Sequence, residues 1–345
     1  MEVVMDDGVR MSLEEVGREA RAILNAYGFS DDHADAIADT MVAAERDGCH
    51  HHGLFRLPFY VKAVTVGRAA TTAEPTLSEL APGVIAMDAH LAFAPLALQR
   101  AHAPLVARAR SQGLAALALK NAHNVAALWP EVERLAEAGL VAFAFTSAMP
   151  YVAPHGGVKP LFGTNPMAFA WPRRDAPPLV FDMATSACAR GEIQIRLRDG
   201  RTLEEGWAID AQGQPTTDPQ TALEGAQLPF GGAKGALLSM MVELLAGPLI
   251  GDVLSVEAGE ADTARSGAPC GGELILAIDP TRMMWEGDLD RQAAHAERLF
   301  ALMLQQEGVR LPSDRRYQAR TRALQEGVVI APALHETLQA LKAAA

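Results

Sequence analysis

Three consecutive histidines, His50, His51 and His52, are followed by Gly53 and, four residues after His52, by Arg56. Imidazole titrates near neutrality, so one of these rings can move a proton at physiological pH. Arginine presents a planar fork of donors that matches a carboxylate. A proton donor beside a carboxylate anchor is what reduction of a small oxo acid or imino acid requires. The run also leaves a metal site open, through His50 with an Asp or Glu. Against that, adjacent side chains on irregular backbone point apart, and H-x-x-x-H spacing is absent here. Ser147 and Ser186 carry no G-x-S-x-G signature of a nucleophile.

Several small-residue loops add a second kind of chemistry. They are Tyr151 to Gly157, Leu161 to Pro166, Asp182 to Ser186, and Phe230 to Gly235. Glycines let backbone approach a ligand closely, and amides at a helix start favour a phosphate. Lys234 adds charge for an anionic group. None of these loops is G-x-G-x-x-G or a Walker A motif, so neither standard nucleotide fold is supported, and ordinary turns and helix caps remain the alternative.

The elements that must position these residues follow from periodicity. Ser12 with Glu15 forms a capping box before a helix whose Val16, Ala20, Ile23 and Leu24 share one face, with Gly28 as its stop. Ser30 caps a second helix ending at Gly48, so the histidines begin where a helix stops. Residues 54–65 read as helical apart from Pro58. Beyond them strands (83–89, 114–120, 140–148, 167–172, 179–186, 273–279) alternate with helices (91–113, 130–139, 233–249), which predicts an α/β core. The polar stretch 252–270 reads as a loop, and helices are expected at 288–307 and at the alanine-rich C-terminus. The N- and C-terminal helical segments are expected to form one lobe.

The chain has 345 residues, 49% of them hydrophobic, and a net charge of -12. The size suits a large core in two or more lobes. The negative charge argues against nucleic acid and anionic membranes as partners, and an anionic ligand then needs a locally positive site. Cys49, Cys188 and Cys270 lack CxxC spacing and read as free thiols in a reducing compartment. No apolar stretch reaches the roughly 20 residues of a membrane span. The acidic N-terminus lacks a signal-peptide pattern, so a cytoplasmic protein is expected.

In order, the chain reads D-G-C-H-H-H-G-L-F-R, N-A-H-N-V-A-A-L-W-P, A-P-H-G-G-V-K-P-L-F-G-T-N-P, F-D-M-A-T-S, P-F-G-G-A-K-G and R-L-P-S-D-R-R-Y. This series resembles the type-2 malate/L-lactate dehydrogenase family over nearly the whole chain. The ALWPEVE, LPFGGAKG and LPSDRRY stretches resemble its 1-piperideine-2-carboxylate/1-pyrroline-2-carboxylate reductase branch. The resemblance implies an α/β fold with a non-Rossmann NAD(P)-binding lobe and a helical lobe from the N- and C-terminal segments. The implied division is 1–115 for the N-terminal helical, substrate and dimerisation segment, 116–285 for the NAD(P)-binding lobe, and 286–345 for C-terminal helices returning to the first lobe. It also implies a homodimer.

The implied reaction is NAD(P)H-dependent reduction of cyclic imine carboxylates to L-pipecolate or L-proline. A 2-hydroxy-acid dehydrogenase of the malate, lactate or ureidoglycolate kind is one alternative, and a cofactor-binding homologue with lost turnover is another. NADPH is the expected cofactor and NADH remains possible; Lys159, Arg173 and Arg174 are candidates for a 2′-phosphate. By resemblance His52 is the catalytic histidine, Arg56 holds the substrate carboxylate, Glu192 falls where the imine-reductase branch has an aspartate that relays charge to the active site, and His51 is the third catalytic position. Asn124, Thr164, Asp182, Met183, Ala184, Thr185, Ser186, Lys234, Ser313, Asp314 and Arg315 fall on cofactor-contacting segments. Two positions depart from the pattern. His51 stands where the family has serine, which breaks its serine–histidine–acid relay. Asn124 stands where it has histidine, which removes a donor near the substrate unless the adjacent His123 turns in.

Overall fold

The computed structural model describes residues 8–285 and 288–345. Strand β1 (Val9–Met11) leads to Ser12, which caps helix α1 (Leu13–Ala26). The expected capping box is formed: Ser12 Oγ accepts the Glu15 N–H, and the Glu15 carboxylate accepts the Ser12 N–H. Ser30 starts α2 (Asp31–Arg46). Two 3-10 turns, His50–His52 and Leu54–Arg56, lead into α3 (Leu57–Thr65). Pro58 lies in the first turn of α3, where no backbone donor is needed, and so does not interrupt it.

Then come β2 (Thr76–Ala81), β3 (Val84–Asp88), α4 (Ala94–Gln112), β4 (Leu114–His123), α5 (Trp129–Glu137), β5 (Val141–Thr146), β6 (Met167–Trp171) and β7 (Leu179–Met183). Helix α6 (Arg190–Arg198), short strands β8 (Ala208–Ile209) and β9 (Pro215–Thr216), α7 (Pro219–Glu224) and β10 (Ala226–Gln227) make a small outlying unit. The rest is α8 (Ala233–Ala246), α9 (Ser255–Ala261), β11 (Cys270–Ile278), α10 (Leu289–Leu304), α11 (Asp314–Glu326), β12 (Val328–Ile330) and α12 (Pro332–Ala344).

Seven strands form one mixed sheet in the order β2-β3-β4-β11-β5-β6-β7. Strands β3 and β4 are parallel, and the other neighbouring pairs are antiparallel. This is not the parallel, doubly wound Rossmann sheet, in keeping with the missing glycine fingerprint. Alternation along the strands sends residues to two covered faces. In β5, Ala142 and Ala144 meet the core under α4 and α5, whereas Phe143 and Phe145 meet α8. Strand β11 divides the same way, Ile275 and Ala277 against Leu274 and Leu276. Coverage on both faces is why these strands read as continuous apolar runs.

A second core joins α1, α2 and α3 to α11, α12 and the β1–β12 ribbon, through Ile23, Leu24, Ile37, Leu57, Tyr60, Ile330 and Leu338. Strands β2 and β3 and helix α4, inside the segment expected over 1–115, belong to the sheet, because β3 pairs with β4. Helix α10 does not return to the helical body with α11 and α12. Its Phe300 packs with Leu179 and Leu311 beside the outer strands.

Three elements differ from the sequence reading. Strand β2 is exposed at all its residues, so no alternation marks it. Helix α9 occupies the first half of the expected loop 252–270. Helix α11 buries Ala323 as its one fully buried residue. Its inner side is instead made of Arg316, Tyr317 and Arg320, which engage Asp47 on the end of α2 and Glu133 on α5, so it carries no apolar stripe.

Candidate active site

The histidine turn is anchored from below by Glu45, in the last turn of α2 and only 1% exposed. Its Oε1 accepts the Leu54 N–H at 2.8 Å and its Oε2 meets His50 Nδ1 at 2.5 Å. Gly53 lies between these contacts, and a Cβ there would stand 2.1 Å from Glu45 Oε1. The hydrogen bond to Glu45 raises the pKa of His50, whose ring is otherwise solvent-facing. His50 is thus a structural partner. Among the described residues no three His, Cys, Asp or Glu side chains converge on a metal position.

The His51 and His52 rings lie 4.5 Å apart at 55°. His52 engages the backbone of Val125, and its Nδ1 is buried without a partner among the described residues. Burial first, then the Arg56 charge, hold its pKa well below the ordinary histidine value, so the ring is neutral at pH 7. His51 is pushed down to about 4 by burial, with Arg56 and His50 adding to the effect and Glu192 opposing it. Arg56 lies over the Phe55 and Phe59 rings, its Cζ 5.8 and 5.3 Å from their centroids. Among the described residues it has no carboxylate partner, and its Nε is buried and unpaired. A half-buried, uncompensated guanidinium is a ready anion site. Tyr151 is close enough to Arg56 to feel its charge, and the Arg190 guanidinium stacks 4.2 Å over the Tyr151 ring.

The segment after β4 forms the facing wall. Asn124 donates to Glu273 Oε2 at 2.6 Å and accepts the Ala126 N–H at 3.1 Å. Asp182 Oδ2 accepts the Leu128 and Trp129 N–H groups at 2.8 and 3.0 Å, capping α5. Burial pushes Asp182 up to about 6, partly offset by those amides and by Arg316. Burial also pushes Glu131 and Glu273 upward. His123 does not turn in to replace the missing histidine. It is 1% exposed, and its Nε2 is used on the Arg68 carbonyl at 3.1 Å beside Phe93. Its assignment to the substrate is corrected for that reason.

The other expected residues divide into free and committed groups. Glu192 is bound to Arg196 Nε at 2.8 Å and reaches His51 only through its field. Thr164 gives its carbonyl to Thr185. The side chains of Thr185 and Ser186 are not available to a ligand: Thr185 Oγ1 bonds the Thr164 and Asn165 carbonyls, and Ser186 Oγ bonds the Cys188 carbonyl. Met183 is exposed and Ala184 half-buried at the end of β7. Lys234 is exposed in the first turn of α8. Ser313, at a positive φ of 70°, accepts the Val180 N–H, and Asp314 accepts the Leu311 N–H, so both hold the loop before α11 in shape. Arg315 is exposed. Arg173 and Arg174 are paired with Glu297 and Asp290, which leaves Lys159 as the exposed candidate for a 2′-phosphate. Sequence reasoning missed Glu45, Glu131, Glu273 and Arg316. Arg316 lies 4.4 Å over the Trp129 ring with two buried nitrogens that make no hydrogen bond.

Comparison with known proteins places these features in context. Residues 11–339 match the model of the malate/L-lactate dehydrogenase family. The chain is 50% identical over 333 residues to a Delta(1)-pyrroline-2-carboxylate/Delta(1)-piperideine-2-carboxylate reductase of Pseudomonas aeruginosa, covering 96% of this chain and 99% of that one. It is 49% identical to a Delta(1)-pyrroline-2-carboxylate reductase of Ancylobacter novellus, covering 98% of each. Among solved structures, the delta1-piperideine-2-carboxylate reductase of Pseudomonas syringae pvar. tomato superposes with a TM-score of 0.89 at 42% identity, over 96% of this chain and 99% of that one.

Proposed function

The chain belongs to the malate/L-lactate dehydrogenase family, and from that premise we propose that it is an NADPH-dependent reductase of cyclic imine carboxylates, forming L-proline from the five-membered ring and L-pipecolate from the six-membered one. The observation that carries this reading within the site is a neutral His52 beside an unpaired Arg56.

The loop before α8, which meets the end of β7, fits an anionic dinucleotide. Gly231 and Gly232 adopt positive φ before a 14-residue helix, and the position of a Cβ at Gly231 is open space. Lys234 follows in the first turn, where free amides and the helix dipole favour a phosphate. Arg315 and Arg316 add positive charge at the start of α11, and Asn124 to Leu128 with Asp182 to Ala184 form the rest of the cradle. The nicotinamide supplies a hydride when bound.

Arg56 takes the substrate carboxylate in a bidentate contact, each charge-assisted hydrogen bond contributing about 1.5–3 kcal/mol. The carbon to be reduced is then next to His52. A protonated imine accepts hydride and becomes an amine with no proton donated in that step. A ketone leaves an alkoxide that must be protonated. Burial and Arg56 keep His52 neutral, so the ring offers a hydrogen bond but carries no spare proton. The site is therefore matched to a substrate that brings its own proton.

Helix α8 packs Val242 and Ala246 inward and leaves Leu237, Met240 and Leu244 exposed. We assign this apolar face to the second subunit of a homodimer. Free thiols at Cys49, Cys188 and Cys270 suit a cytoplasmic enzyme.

The test is oxidation of NADPH and NADH followed with the two cyclic imines and with a panel of 2-oxo acids. Turnover of the imines with a preference for NADPH is expected. Turnover of oxo acids alone would overturn the imine reading in favour of a hydroxy-acid dehydrogenase. Tight NADPH binding without any turnover would leave a cofactor-binding homologue.

A further inference from the structure

Behind the site, two carboxyl groups each have one oxygen without a partner. Glu273, on β11, is 1% exposed; Asn124 donates to its Oε2, and its Oε1 is buried with no hydrogen bond among the described residues. Glu131, in the first turn of α5, likewise has a buried, unpartnered Oε2. Ionised carboxylates only accept hydrogen bonds, so two of them cannot satisfy one another. Glu273 lies on the same face of β11 as Ile275, which packs under α5 and lines one cavity with Glu131, so the two carboxyls face each other across that packing. One shared proton would give both orphaned oxygens a partner.

The surroundings favour that state. The Glu131 charge disfavours ionisation of Glu273, and Asp182 on β7 disfavours it in both. Arg134, one turn along α5, favours charge on Glu131, and Arg316 on α11 does so for Asp182. Neither arginine relieves Glu273, whose stabilising contact is the neutral Asn124 amide. Glu131 and Arg134 also line, with Gln99 and His102 of α4, a small cavity of about 30 Å³. Those four side chains offer a single water there its polar partners amid otherwise largely apolar walls, a route by which the Glu131 side of the pair exchanges its proton with solvent.

We propose that Glu131 and Glu273 share one proton as a carboxyl–carboxylate pair, and that through Asn124 this pair is a positioning element for His52. The link is short. Asn124 holds Glu273 with its amide nitrogen and the Ala126 N–H with its oxygen, and the residue between, Val125, engages the His52 ring. Losing the shared proton sets two charges side by side beneath Asn124, and the Val125 backbone shifts with it. The kinetic half of the proposal rests on the reading of His52 as an active-site residue; the shared proton does not.

The test uses Glu131→Gln and Glu273→Gln in the full-length protein. Each glutamine is isosteric and brings a fixed N–H for the other residue's orphaned oxygen. Infrared difference spectra of the wild type are expected to show a protonated-carboxyl carbonyl band at neutral pH that fades as pH rises, and both variants are expected to lack it. The alkaline fall of kcat/KM on the imine is expected to move up by about one pH unit or more in both variants. A band of wild-type intensity in both variants would overturn the shared proton. An unmoved alkaline limb with the band lost would overturn the positioning role. If the imine is not turned over at all, the functional reading fails while the infrared result still decides the pair.

Discussion

Gly53→Ala probes whether the geometry of the histidine turn is what arms the site. The added Cβ would stand 2.1 Å from Glu45 Oε1, 2.5 Å from its Cδ and 2.8 Å from its Cγ. The carboxylate must therefore retreat by roughly an ångström, which well-packed surroundings resist. It is buried and makes two contacts, to the Leu54 N–H and to His50 Nδ1. Losing the first removes a hydrogen bond to a charged group and leaves that charge less compensated, at a cost of about 1.5–3 kcal/mol. Residual strain brings the expected loss of folding stability, read from urea denaturation, to about 2–4 kcal/mol. His52 and Arg56 lie one residue before and three after the substitution, so kcat/KM should fall by about a hundredfold through misplacement alone. The decisive comparison is with Glu45→Ala. In that background the clash has no partner, so adding Gly53→Ala should cost little more, giving a coupling energy of about 2 kcal/mol. Equal costs in both backgrounds would refute the reasoning, as would wild-type kinetics in Gly53→Ala.

Two further outcomes follow from the same geometry. Arg56→Lys keeps the charge but loses the fork, and Arg56→Ala loses both; initial rates on the imine should show KM rising about tenfold and about a thousandfold respectively, with kcat changed less. The second outcome concerns acid. His51 and His52 have pKa values below those of the unfolded chain, so the unfolded state binds more protons in the window from about 6.5 down to about 4. Folding stability should therefore be intact above that window and fall as pH drops through it. His51→Ser should flatten the fall of the thermal midpoint between pH 7 and 4, and an unchanged slope would show that His51 is not the group being titrated.

The fold was legible wherever burial imposed a pattern. The capped helices α1 and α2 announce themselves through Ser12, Glu15 and Ser30, because orphaned amides at a helix start need an oxygen nearby in sequence. Strands β5 and β11 announce themselves because both faces are covered. Strand β2 and helix α11 escape the same reasoning for opposite reasons. The first is exposed throughout and has no buried side to betray its period. The second buries arginines and a tyrosine against Asp47 and Glu133, and ion pairs between distant elements leave no period in the sequence.

The site divides the same way. The spacing of His52 and Arg56 is local and readable, whereas Glu45 becomes visible only once a turn folds back onto the helix before it. His123 and Asn124 show what residue type alone gets wrong. Of the two, histidine looks like the better substrate donor, yet His123 is the last residue of β4 and Asn124 the first of the loop after it, and their side chains go to different partners. One is sealed against Phe93 and the Arg68 carbonyl; the other reaches Glu273. The consequence is chemical. No second imidazole stands in for the missing one, Asn124 cannot titrate, and His52 is held neutral beside Arg56. Under the proposed reaction the substrate itself must bring the proton, which a cyclic imine does as an iminium ion and a ketone does not. On that reading the departure from the family pattern at Asn124 narrows the substrate choice, and its reversal, Asn124→His, should raise ketone reduction relative to imine reduction. A rise in neither, measured as the ratio of kcat/KM on a 2-oxo acid and on the imine, would show that the missing imidazole does not set the preference.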